Sequence, residues 1–371
     1  MRPVRAYLRG SASPLTQLYD VALLDLDGVV YVGADPVPGV PEVLAAVRNS
    51  GMRLAFVTNN ASRPPHAVAD HLTALGIAAK PAEIVTSAQA AARYLADRLP
   101  GGARVLVVGT LGLEEALRER GLVPVPDALG QVDAVVQGYS PDMTWRLLAE
   151  GSIAIDRGVP WVATNLDPTV PSPRGRLPGN GSLVAALRHA TGKEPVATGK
   201  PDPAMHRESV LRSQAERPIV VGDRLDTDIE GAAAVGCPSL LVLSGVTTPA
   251  ELLAAPPKLR PTYLAADVTG LLSTHPDVLD GPDGVGCGDW RAEMSGTPGS
   301  AGSRLLLRAA NGAAGSDAGA AAPGAGVTAA DLDALRVLCV AAWAAELPEQ
   351  APTVVAEDEA SAAALDRLGL G

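Results

Sequence analysis

The chain has 371 residues, 47% of them hydrophobic, so it can bury sizeable cores and is too long for one ordinary domain. Its net charge is -11 and no run of Lys or Arg stands out, which argues against a nucleic-acid groove or an anionic membrane surface as partner. Aromatics make up only 3%, with Phe56 the single phenylalanine, so Val, Leu, Ile and Ala must fill the cores, as in helices packed over a buried parallel sheet.

In chain order, residues 21–24 read as a strand ending in Asp25-Leu26-Asp27-Gly28. A helix over 41–50 follows, closed by Gly51, and residues 54–57 form a second strand running into Thr58-Asn59-Asn60. Residues 64–75 read as a helix closed by Gly76, which gives the spacing of βαβ units and a parallel sheet. A second alternation has helices at 88–99, 113–120 and 145–156 and strands at 105–108, 134–137 and 161–164. The first pattern then resumes with helices at 182–190 and 204–212, a strand at 219–221 ending in Gly222-Asp223, a helix at 228–235 and a strand at 240–243. The expected fold is α/β: a Rossmann-like parallel-sheet core, residues 18–86 and 181–272, interrupted by an inserted α/β cap, residues 87–180. Residues 273–371 are expected to form a small α+β appendage, with strands near 290–294 and 304–308 and a helix over 329–345. Within it, residues 311–326 contain only Asn, Gly, Ala, Ser, Asp and Pro, which is linker chemistry. Cys237, Cys287 and Cys339 are far apart and give no disulfide framework, and no apolar run nears the roughly 18 residues of a membrane span. A cytoplasmic setting is expected.

Four signals fall at the ends of core strands or the starts of core helices, where open α/β sheets bind ligands. Each has a plainer reading. Asp25 and Asp27 could be a turn, Thr58-Asn59-Asn60 a helix cap, Lys200 a solvated charge, and Asp223, Asp226 and Asp228 an acidic capping loop. Together and in order they compose a phosphoryl-transfer site. Asp25, ionised at neutral pH, is the candidate nucleophile, and Asp27 the general acid for a leaving alkoxide. Asp25, the backbone carbonyl of Asp27, and Asp223 form an all-oxygen ligand set that suits Mg2+. Thr58 and the amides of Asn59 and Asn60 are expected to hold phosphate oxygens at a helix N-terminus, with Lys200 as a cation for phosphate and Asp25. A phosphate dianion with ionised Asp25 and Asp223 totals about -4, which Mg2+ and Lys200 bring to about -1.

The segments Asp25-Leu26-Asp27-Gly28-Val29-Val30, Thr58-Asn59-Asn60, Gly199-Lys200-Pro201 and Gly222-Asp223-Arg224-Leu225-Asp226-Thr227-Asp228-Ile229 resemble the four motifs of the haloacid dehalogenase superfamily. The arrangement is similar to the branch with an α/β cap between the second and third motifs. That branch includes 2-phosphoglycolate, glycerol-3-phosphate, pyridoxal and nucleotide monophosphate phosphatases. The resemblance spans about residues 18–272. It implies an aspartyl-phosphate intermediate, with Asp228 an outer support of the metal site, and the second Asp separates phosphatases from dehalogenases. Residues after 273 have no counterpart in that pattern; they resemble a fragment of an acyltransferase-like module but carry no Gly-rich pyrophosphate loop.

The expected activity is Mg2+-dependent hydrolysis of a small phosphate monoester, glycerol 3-phosphate first, with 2-phosphoglycolate, pyridoxal phosphate or a nucleotide monophosphate as alternatives. A phospho-receiver needs one small domain, whereas these residues span 25 to 228 around a cap; a non-catalytic sugar-phosphate binder has no use for an acid at Asp27. The partner is then a small molecule, not nucleic acid or a membrane, and a homo-oligomer stays open. His66 and His71 lie five apart on no common helical face, which argues against a metal pair. Arg174 and Arg176, in the loop leaving the cap, are either solvated charges or contacts to the substrate's far end. The segment after 273 is expected to be dispensable for chemistry.

Overall fold

Val21, Ala22, Leu23 and Leu24 are each at most 1% exposed, so the first strand, Val21–Asp25, is buried on both faces as a central parallel strand must be. The computed structural model describes residues 8–172, 174–281, 284–296, 303–310, 327–345 and 352–371; the expected linker at 311–326 lies outside the described residues. Val21–Asp25 sits between Pro218–Gly222 and Arg53–Thr58 in a six-stranded sheet whose outer members are Ser239–Val242, Tyr263–Ala265 and Ile84–Thr86. Every pairing in it is parallel. Strand order runs outward in both directions from Val21–Asp25, so the crevice at its carboxyl end is the point where an open sheet receives ligands. Helices cover both faces; Val40–Asn49, for example, buries Val40, Leu44 and Val47 at helical spacing.

A second, five-stranded parallel sheet has the order Val196–Ala197, Trp161–Ala163, Ala134–Gln137, Arg104–Val108, Val123–Val125. Here the structure moves a boundary. The return to the core expected at 181 comes after Ala197, because Val184 and Leu187 of the helix Asn180–Thr191 pack into the cap's apolar cluster and Val196–Ala197 pairs with the cap strand Trp161–Ala163. The helix Ser87–Ala96, fixed at its start by a Thr86–Gln89 capping box, serves both units. Its Ala88, Ala91, Ala92 and Leu95 pack on the cap side, and Ala90 packs with Val21, Leu23 and Val57 of the core.

The C-terminal sheet has the order Leu279–Gly281, Gly284–Cys287, Trp290–Ser295, Arg304–Ala309, Thr353–Ala356, antiparallel except for its last pair. The helix Ala329–Ala344 is buried along most of its length and wedged between this sheet and the six-stranded core. One continuous cluster joins Leu225, Ile229, Leu241, Leu252 and Leu264 of the core to Leu305, Leu307, Leu335 and Leu338. Arg336 donates to the Leu264 carbonyl at 2.6 Å and the Trp343 indole to the Leu252 carbonyl at 3.2 Å. The appendage therefore shares a core with the sheet it follows. No helix among the described residues is long and apolar enough to cross a membrane.

Candidate active site

Asp25 closes the central strand in register with Val57, Thr58 closes its neighbour, and Asp223 follows directly on Gly222 at the end of the strand on the other side. Lys200 enters from the loop after the cap strand Val196–Ala197. Its Nζ donates to Asp25 Oδ1 at 2.5 Å and to Asp228 Oδ1 at 2.7 Å. One carboxylate oxygen from each of Asp25, Asp223 and Asp228 lies within 4.8 Å of the others. Three of the four sequence signals thus meet at one point. Asp228 reaches it because the turn Leu225–Ile229 is wound wide, as a π-helical turn, and its Oδ2 also accepts the Arg224 amide at 3.2 Å. Gly222 makes this approach feasible, since a Cβ there would stand 2.2 Å from Asp228 Cβ.

The electrostatics are those of surplus negative charge out of water. Burial dominates at Asp25 and pushes its carboxyl well above the usual range, Lys200 opposes this, and Asp228 and Asp223 add to the rise. Burial likewise leads at Asp223, with Asp228 behind it, and lifts that carboxyl to about 6. At Lys200 burial favours the neutral amine, but Asp228 and Asp25 outweigh it and hold the ammonium charged. Asp223 Oδ2 accepts the Val246 amide at 2.7 Å, whereas its Oδ1 is buried with no hydrogen-bond partner among the described residues. An orphaned carboxylate oxygen among three carboxylates and one cation fits a hard divalent cation. Glycines make the space beside it: a Cβ on Gly28 or Gly245 would stand 2.3 or 1.9 Å from Asp223 Oδ2.

Asp27 is exposed, yet desolvation on its protein side raises its carboxyl against the opposing charges of Lys200 and Arg63, and Asp167 adds to the rise. A carboxyl so placed holds a proton more readily than a free one. Tyr31, whose hydroxyl is also shifted up by burial, stacks edge-on against His71 with centroids 5.5 Å apart, so His71 packs beside the site; His66 instead faces Glu115 at 3.8 Å.

The second signal needs correction. No helix begins at Asn59 or Asn60; the next one is Pro65–Ala74, and the Asn60 amide turns inward to Thr58 Oγ1 at 3.1 Å. The Asn60 side chain is taken up by Ser62, whose amide and hydroxyl donate to Oδ1 at 2.8 and 2.7 Å. Asn59 works as a joint. Its Oδ1 accepts the Lys200 amide at 2.8 Å, its Nδ2 reaches the Lys200 carbonyl and Asp167 Oδ2 at 3.2 Å each, and its carbonyl accepts from Asn165 Nδ2 at 2.7 Å. Asn165 and Asp167 belong to the cap and were not singled out by the sequence, where only their order after a strand could have drawn notice. Arg174 and Arg176 lie on the exposed hairpin Thr169–Ser172/Gly175–Pro178, with no side-chain bond to the site among the described residues.

An Asp at the end of the central strand, a second Asp two residues on, a lysine and an acidic turn at adjoining strand ends of a capped parallel sheet fit a haloacid dehalogenase-like hydrolase, and the chain belongs to that family. The profile of the haloacid dehalogenase-like hydrolases matches residues 22–123, and a HAD-hydrolase-like profile matches residues 197–271. The D-glycerol 3-phosphate phosphatase of Mycobacterium tuberculosis is 51% identical over 257 residues, 69% of this chain and 72% of that protein. The acid sugar phosphatase of Staphylococcus saprophyticus is 35% identical over 256 residues, 68% of this chain and 97% of that protein. Among solved structures, the glycerol phosphate phosphatase of M. tuberculosis in complex with magnesium superposes with a TM-score of 0.83 at 41% identity, covering 97% of this chain and 100% of that one. That coverage takes in the C-terminal sheet. A p-nitrophenyl phosphatase from Archaeoglobus fulgidus gives a TM-score of 0.63 at 30% identity, over 68% of this chain and 98% of that one.

Proposed function

We propose that the protein is a Mg2+-dependent phosphomonoesterase that hydrolyses glycerol 3-phosphate through a phosphorylated Asp25. The observation that carries the chemistry is the meeting of Asp25, Asp223 and Asp228, two of them bound to Lys200, with Asp223 Oδ1 left without a partner among the described residues. The substrate rests on the 51% identity to a D-glycerol 3-phosphate phosphatase. Asp25, Asp223 and the Asp27 carbonyl would hold Mg2+, which when bound offsets the carboxylate charge and stabilises the charge on the phosphoryl oxygens. Asp228, with both oxygens already engaged by Lys200 and the Arg224 amide, supports the set by holding Lys200 in place.

Lys200 fixes one oxygen of Asp25, leaving the other to attack phosphorus as the bond to the alcohol oxygen breaks. Asp27, its carboxyl shifted up, hands its proton to that departing oxygen and then takes one from the water that attacks the aspartyl phosphate. The acyl phosphate P–O bond breaks, inorganic phosphate leaves and both carboxyl groups return to their starting states. Thr58 and Lys200 face the non-bridging oxygens in this reading. A cytoplasmic setting belongs to the same proposal and is supported by three cysteines that are all free. The test is a panel of phosphate esters with Mg2+ in which phosphate release is measured. Glycerol 3-phosphate should give the highest kcat/KM; binding without turnover of any ester would overturn the reading.

A further inference from the structure

Asp167 lies outside all four motifs, yet it is the cap's carboxylate at the site. Its loop is firmly built. Asn165 Oδ1 accepts the Asp167 amide at 3.2 Å, the Asp167 carbonyl accepts the Gly181 amide at 2.9 Å, and a Cβ on Gly181 would stand 2.2 Å from the Leu166 carbonyl. Asp167 Oδ2 is held by Asn59 Nδ2, while Oδ1 has no partner among the described residues. Burial raises its carboxyl, the Asn59 hydrogen bond and the charges of Arg224 and Lys200 oppose that rise, and Asp167 in turn raises Asp27. The cap thus presents a half-buried carboxylate on Asn59, the same side chain that accepts the Lys200 amide beside the site.

We propose that Asp167 selects the alcohol part of the substrate: its free oxygen accepts a hydrogen bond from a hydroxyl of a polyol phosphate and repels an ester whose far end is a carboxylate. The proposal rests on the reading of the chain as a glycerol 3-phosphate phosphatase and assigns the residue that makes the choice. A polyol brings the donor that Asp167 lacks; a carboxylated ester adds a further negative charge beside Asp27 and Asp167. Two cations could soften this. Arg224 is already held by Asp226 at 3.1 and 2.8 Å. Arg63 is exposed, has no bonded partner among the described residues and also acts on Asp27, so it is a group that would invite a carboxylate.

The experiment measures kcat/KM of the full chain with Mg2+ for glycerol 3-phosphate and 2-phosphoglycolate, with p-nitrophenyl phosphate as the gauge of general damage. It compares wild type, the near-isosteric Asp167→Asn and the smaller, uncharged Asp167→Ser. Wild type should prefer glycerol 3-phosphate, and the preference over 2-phosphoglycolate should fall by roughly tenfold or more in both variants, the scale of one charged hydrogen bond lost and one repulsion relieved. A wild-type preference for glycerol 3-phosphate that both variants keep unchanged overturns the role of Asp167 alone. A wild type that prefers 2-phosphoglycolate overturns the substrate reading and the proposal together.

Discussion

Asp25 and Asp27 carry the same side chain two positions apart, yet their surroundings give them different work. Asp25 is locked to Lys200 at 2.5 Å within the carboxylate cluster; Asp27 stands exposed outside it, with its carboxyl shifted up. Asp25→Asn should abolish phosphoenzyme formation with every substrate. Asp27→Asn should cost little in the first step with p-nitrophenyl phosphate, whose phenolate departs unaided, and about 10²–10⁴-fold with an alkyl phosphate. Its second step, which needs a proton taken from water, should be slow with both, so phosphoenzyme accumulates. Burst kinetics and intact mass after mixing check this; a phosphorylated Asp25→Asn protein or equal first-step losses for both esters would reverse the roles. At this scale the sequence was most informative about placement, because each proposed catalytic group sits at a strand end or on the turn just beyond one. It was least informative about Asn59 and Asn60, whose hydrogen bonds run to Asp167, Lys200 and Ser62 instead of to an open helix end. A pairing across 108 residues leaves no local trace.

The elements show the same division. Most strands and helices of the two parallel sheets were legible from apolar runs punctuated by glycine, but the three-residue strands Ile84–Thr86, Val123–Val125 and Tyr263–Ala265 and the two-residue strand Val196–Ala197 are too short to register, and the helix Asn180–Thr191 gives no sign of which sheet it will cover. In the C-terminal unit the longer strands and the helix Ala329–Ala344 were visible, while the burial of that helix against Leu225 and Ile229 of the fourth motif was not. A chain ended near Ser273 would bare Leu225, Ile229, Leu241, Leu252, Leu253 and Leu264. Uncovering even half of that surface forfeits on the order of 5 kcal/mol, comparable to the net stability of a whole domain. Such a truncation should be insoluble or should melt well below the full chain; a soluble, cooperatively folded product with unchanged kcat would show that the appendage is separable. Asp331 gives this unit a pH signature. Burial by itself would raise its carboxyl, but Arg367, at 2.7 Å, and Thr328 outweigh that and hold it below the usual range. A folded-state value below the unfolded one stabilises the protein above the unfolded value of ~4, and the contribution is lost as pH falls through the folded one. Asp331→Asn should therefore lower the melting temperature at pH 7 and converge with wild type as the pH falls through the lowered folded-state value. A constant gap across that range would assign the effect to packing.

For the molecule as a whole, catalysis requires that the cap admit substrate, exclude water and return to one position over Asp25. Among the described residues, cap and core are joined by Thr110 Oγ1, which donates to the Ser62 carbonyl at 2.7 Å, and by two larger sets of contacts. The first is the Asn59–Asn165–Asp167 joint beside the nucleophile. The second is built on Glu208, which is fully buried in the core helix Pro203–Ser213 and would pass in the sequence for one more solvated charge on a helix face. Arg93 of the shared helix Ser87–Ala96, Arg120 of the cap at 2.8 Å and Arg212 of its own helix at 2.6 Å all bind Glu208, and Arg212 also reaches the cap's Glu119 at 2.9 Å. Three guanidiniums around one buried carboxylate are stable only while that carboxylate is charged and present. Glu208→Gln keeps the volume but leaves the arginines without their anion; because they are partly open to water, the loss should be about 2 kcal/mol, below that of a fully buried pair. With the cap's second anchorage loosened and the catalytic groups untouched, KM for glycerol 3-phosphate should rise several-fold while the phosphorylation step with p-nitrophenyl phosphate, measured at saturation, changes little. Arg120→Met, which removes only the cap's share of the cluster, should give the same KM rise with a smaller loss of melting temperature. Stability lost in both variants with KM unmoved would make the cluster a brace for folding alone and leave the cap's position to the joint at Asn59.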